Sequence, residues 1–161
     1  MSSGRKLLIF GGIALATFGM LYGLHYALFI EHQSLDHMGG SLATAFSEAA
    51  GRNMTAAHSA VGDYAAAKYV YVRQVDVHSH WIGLAMLLIV LGVVFDRVGF
   101  NDTVRFWLAM ALFAGSVIFP LGVLMQTAQP GRLWPTVLAI GGAGLVTAAL
   151  SGVAIGFARK A

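Results

Sequence analysis

The stretch LLIFGGIALATFGMLYGLHYALFI, Leu7–Ile30, decides the fold, because it runs for 24 residues without an Asp, Glu, Lys or Arg. A helix needs about 20 such residues to cross the hydrocarbon core of a bilayer. The run follows Arg5-Lys6, as the core of a secretory leader would. It exceeds the roughly 7–15 apolar residues of a leader, however, and no small-x-small cleavage site follows it. It reads as a retained membrane anchor.

Outward from this anchor, Val104–Met125 and Leu133–Phe157 meet the same length requirement. Trp81–Phe95 is short as a purely apolar run. It spans only if its helix begins near Val75, which places His78 and His80 in the first turns. The preceding DYAAAKYVYVR, Asp63–Arg73, is helix-compatible and leads into it. The expected architecture is all-α: an integral membrane four-helix bundle in a single domain over residues 1–161. Its spans are placed at residues 7–30, 75–95, 104–125 and 133–157, with a long, partly helical outer loop over residues 31–74.

Composition agrees. The chain is 58% hydrophobic and 11% charged, with a mean hydropathy of +0.74, whereas soluble domains carry about 25% charged residues. The absence of cysteine excludes disulfides, iron–sulfur clusters, covalently attached haem and thiolate zinc sites. Any metal or cofactor must rest on His, Met, carboxylate or backbone groups. The net charge of +3 sits largely at membrane borders, and no aromatic–basic interleaving points to nucleic acid.

Lysine and arginine placement sets the orientation. With the N-terminus inside, Arg5, Lys6, Arg97, Arg105, Arg159 and Lys160 collect on the cytoplasmic side. Arg52, Lys68, Arg73 and Arg132 fall on the other, diluted among Glu31, Asp36, Glu48, Asp63 and Asp76. The short DRVGFNDTVR connection (Asp96–Arg105), with arginines near both ends, argues most strongly for the cytoplasm. The expectation is a multi-pass protein of the plasma (bacterial inner) membrane, both termini inside.

The outer loop is alanine-rich, and Leu42, Ala45, Phe46 and Ala49 recur at helical spacing. Asn53 and Asp63 are candidate N-caps, and Gly51 and Gly62 candidate stops. Two short helices at the outer surface are expected, with a bend at Gly39-Gly40. In the fourth span Gly144, Ala148, Gly152 and Gly156 recur every four residues, which suits close packing within the bundle or a subunit contact. Pro120 should kink the third span or free a carbonyl.

All six histidines lie between His25 and His80. Histidine within a membrane helix is costly and usually has a partner. His25 and His80 each fall about five residues inside the outer membrane border, roughly 8 Å deep at 1.5 Å per residue. Imidazoles at matched depth on adjacent antiparallel helices could hold a haem b from both sides. His25 and His32 share one helix face, flanked by Phe18, Tyr22 and Phe29. His78 and His80 point about 200° apart on a helix, so only one of them faces any one site. Gly12, Gly19 and Gly23 lie roughly opposite His25; if that small face packs inward, His25 turns away. His32, His37 and His58 also read as ordinary exposed residues. A different chemistry would draw on Glu31, His32, Asp36, His37, Asp76 and His78, a nitrogen and oxygen set suited to copper or zinc. No nucleophile elbow, phosphate-cradling loop or zinc-protease motif is present.

The segment RQVDVHSHWIGL, Arg73–Leu84, resembles the start of the second helix in haem–copper oxidase catalytic subunits of the cbb3 and nitric-oxide-reductase branch. The resemblance implies a low-spin haem b ligand at His80 or His78. The family's later histidines have no counterpart here, so an oxygen- or nitric-oxide-reducing centre is not implied.

Three readings follow. The first is a haem b protein that uses His25 and His80 as axial ligands, with His78 or His32 as substitutes. It would pass electrons between a quinone or outer-side donor and other membrane subunits of a respiratory complex. The second is a non-catalytic structural subunit of such a complex. The third is an outer-face copper- or zinc-binding protein. None of them makes the chain an independent enzyme.

Overall fold

The computed structural model describes residues 1–129 and 131–159; Lys160, counted above among the cytoplasmic charges, lies outside them. The chain forms α1 (Ser3–Phe29), α2 (Glu31–Ala50), α3 (Met54–Val94), a short 3-10 turn (Phe95–Arg97), α4 (Asp102–Ala128) and α5 (Leu133–Ala158). No strand occurs among the described residues. Among the described residues, four helices are long and apolar enough to cross a membrane: α1, α3, α4 and α5. The protein is an all-α membrane bundle.

The segment expected as a partly helical outer loop with two short helices is a helical hairpin without the expected breaks. At Ile30 (φ −121°, ψ −41°) α1 breaks for one residue. The helical hydrogen bonding nonetheless continues through it, from Ile30 N–H to Tyr26 C=O and from Ser34 N–H to Ile30 C=O. Helix α2 then climbs along α3 and runs straight through Gly39-Gly40, where the bend was expected. The reversal comes at Gly51–Asn53. Gly51 closes α2, Arg52 takes the left-handed conformation (φ +60°), and the Asn53 side chain caps α3 by accepting from the Ala56 N–H at 3.3 Å. Gly62 and Asp63 interrupt nothing, because α3 is continuous for 41 residues. At 1.5 Å per residue α3 is about 61 Å long, twice the roughly 30 Å hydrocarbon core. Helices α1, α4 and α5, with 27, 27 and 26 residues, are each about 40 Å. The excess of α3 pairs with α2 as an arm standing clear of the bundle.

Small residues bring the helices together. A Cβ on Gly12 would stand 2.9 Å from the Ala85 carbonyl oxygen, and one on Gly19 would stand 3.1 Å from the Trp81 Cβ. A Cβ on Gly115 would stand 2.8 Å from the Gly142 carbonyl oxygen. Lipid tails are as apolar as leucine, so tight contact and dispersion hold such helices together. Within α5, Gly152 and Gly156 face Leu108 and Val98, whereas Gly144 meets no neighbour within 4 Å and Ala148 is exposed. The buried row is Ala139, Gly142, Val146, Ala149, Val153 and Gly156. Pro120 sits buried inside an unbroken α4.

At the turn end, Asp96 accepts from Ser2 Oγ at 2.5 Å and pairs with Arg5 at 3.1 Å. Arg105 reaches the Asp96 carbonyl at 3.0 Å and pairs with Asp102. Buried Phe95 and Val98 close this end of the core.

Candidate functional site: the histidines at the arm–bundle junction

The junction is built where α1 meets α3. Trp81, 1% exposed, takes the ring of Phe18 at 4.8 Å and of Tyr22 at 5.1 Å, both edge to face. One turn toward the arm, the Tyr22 hydroxyl donates to Gln74 Oε1. Beyond that, Tyr26 is buried with its ring 6.4 Å from Tyr71, whose hydroxyl donates to Glu31 at 3.4 Å. An aromatic and amide seam therefore marks the level at which the bundle gives way to the arm.

The four candidate ligands take four different positions around this seam. His78 lies against α1 over Gly23, whose missing side chain leaves room for the imidazole, and its Nδ1 is 3.0 Å from the Gly19 carbonyl. His80 points toward α4, its ring 4.6 Å from that of Phe119 and edge to face, with Nδ1 2.6 Å from the Asp76 carbonyl. His25 is exposed, its ring 5.3 Å from Phe29 on its own helix. His32 is exposed on α2 and 3.3 Å from Asp36 one turn along. The inward small face of α1 has turned His25 away from α3, so His25 and His80 do not confront each other within one chain.

The chemistry of His78 and His80 is nevertheless defined. A carbonyl oxygen only accepts, so in the neutral imidazole each Nδ1 carries the proton and each Nε2 keeps its lone pair. A backbone carbonyl on one ring nitrogen is the usual support of a histidine that binds metal through the other. No group of three or more His, Cys, Asp or Glu able to hold a metal ion occurs among the described residues. On the arm, His37 and Asp63 line a 420 Å³ groove between α2 and α3, together with Gln33 and Ser34. His58 is exposed on α3.

Sequence reasoning missed Tyr22, Gln74 and Gly23 as partners at this junction. The Gly19/Gly23 pair, one turn apart, was the available signal for a bulky group seated there. No known protein family, curated protein or solved structure matches the chain.

Proposed function

We propose that the protein is a non-catalytic subunit of a larger membrane complex, and that its arm holds a partner on the outer side of the plasma membrane. The observation that carries this reading is α3, a helix about twice as long as the hydrocarbon core requires and braced along its excess by α2. Such an arm fixes a height above the membrane, which a soluble tether of the same length would not. Its surface is sticky in the right place. On α2, Leu35 and Phe46 are 46% and 74% exposed, and Met38 and Leu42, both half-buried, lie between them on the same apolar stripe. Exposed apolar stripes in water mark interaction surfaces. The resemblance at Arg73–Leu84 makes a respiratory complex the first candidate.

The test is native mass and composition after mild detergent extraction from its own membranes. The wild-type chain should migrate in a complex containing other polypeptides. Leu35→Glu with Phe46→Glu should release it, with helicity and thermal unfolding unchanged. A wild-type chain found with no other polypeptide overturns the reading.

A haem b reading keeps one specific support, the 2.6 Å contact of His80 Nδ1 with the Asp76 carbonyl, which in the neutral ring would leave Nε2 as the ligand nitrogen. In this chain His80 would hold the haem, and His25, which faces outward, would not. A reduced-minus-oxidised b-type spectrum that His80→Ala abolishes would favour it. Copper or zinc in a colourless preparation would favour the metal-binding alternative.

A further inference from the structure

Among the described residues, one face of α3 is exposed along its whole length. Met54, His58, Val61, Ala65, Lys68, Val72, Val75, Ser79, Gly83, Met86, Val90 and Val93 are all exposed. Their spacing alternates between four and three residues, except at Val75–Ser79–Gly83, where two steps of four follow each other and carry the stripe on by one residue. Alternating three and four is the seam of a left-handed helix pair, and an extra four only straightens the supercoil locally. The seam lies opposite the buried Val77, Trp81, Ala85, Leu88 and Gly92, which bind α3 into its own bundle.

We propose that a second copy of this chain packs along this seam, with the two α3 helices parallel about an axis normal to the membrane. Lipid alone accounts for the exposure of Met86, Val90 and Val93. It does not account for Met54, Val61 and Val72, which are 53%, 49% and 43% exposed on the arm. A single partner covering the whole seam must be a helix about 59 Å long that passes from water to lipid at the same height. A parallel copy of α3 meets both conditions, since symmetry sets each residue beside its counterpart.

The seam also carries its own contact geometry. Gly83 has no neighbour within 4 Å that would explain a glycine inside this chain. With Ser79 it forms a small pair one turn apart, where two membrane helices approach closely. Lys68 is the one cation on the seam, and its Nζ lies 5.9 Å from the Tyr64 ring centre, drawn to one side of the axis. A lone seam lysine weakens a helix pair while fixing its register and number of strands. The area suffices: a face about 59 Å long on a helix 10–12 Å across covers about 650 Å² per copy, or ~1,300 Å² in all, within the range of stable interfaces.

This inference is independent of the outer partner, since the seam is on α3 and the proposed docking stripe on α2. The chain has no cysteine, so single cysteines report cleanly. In native membranes under a mild oxidant, Val61→Cys, Val72→Cys and Val90→Cys should each give a product of twice the chain mass. Ser59→Cys, exposed on another face of α3, should not. Purified free of other polypeptides, the full chain in detergent should have the protein mass of two copies or a multiple of two, and Val61→Glu with Val72→Glu should halve it. Equal cross-linking at Ser59→Cys, no cross-linking at any seam position, cross-links to a different polypeptide, or a wild type holding one copy would each overturn the proposal.

Discussion

At the scale of single residues, the contact between Gly23 and His78 explains the most. A methyl group at Gly23 would run into the imidazole ring, and the ring cannot retreat without giving up the Gly19 carbonyl. Gly23→Ala should therefore lower stability in detergent by about 1–3 kcal/mol, the range for overpacking a close-packed site. His78→Ala should also cost about 1–3 kcal/mol, through the lost hydrogen bond and the space left behind. The double substitution should cost less than the sum, because the new methyl then enters the vacated space. Chemical or thermal unfolding of the four proteins measures that coupling, expected to be about 1 kcal/mol or more. Strict additivity would mean that the two residues do not touch.

At the scale of elements, the arm and the spans were legible in the sequence to different degrees. The spans at Leu7–Ile30, Val104–Met125 and Leu133–Phe157 were plain, since a bilayer demands an unmistakable apolar length. The helicity of the arm was legible from alanine content and spacing, as were the stop at Gly51 and the cap at Asn53. Its continuity was not. Gly39-Gly40 and Gly62 read as breaks because glycine weakens an isolated helix, but pairing against a neighbour overrides that preference. The candidate site was half legible for a related reason. Depth along a helix follows from counting residues, whereas facing depends on which side packs, and three glycines on α1 chose the side away from His25. The override makes a prediction. A Cβ at Gly39 or Gly40 would meet nothing within 4 Å, so Gly39→Ala and Gly40→Ala should each stabilise the arm by about 0.5–1 kcal/mol. Slower amide exchange across residues 34–46 would register the gain, and faster exchange would mean that α2 needs a hinge there.

At the scale of the whole molecule, three helices of about 40 Å match a bilayer with part of its headgroup region. The fourth overshoots by about 21 Å on one side only. The arm that α2 and its turn form with this overshoot carries Glu48, Arg52, Asn53, Asp63 and Lys68, charged and polar groups that are costly to place in lipid. The opposite end gathers Arg5, Arg97 and Arg105 around the Asp96 turn, the arrangement that retains a loop in the cytoplasm. The two ends should therefore face different compartments, with the arm outside. In a cysteine-free background, Ser59→Cys should react with a membrane-impermeant maleimide on intact cells. Thr103→Cys, exposed at the start of α4, should react only after permeabilisation. Labelling of both from the same side would remove either one span or the arm from the membrane arrangement. Labelling with the sides exchanged would keep the bundle and place the arm, with any partner it holds, in the cytoplasm.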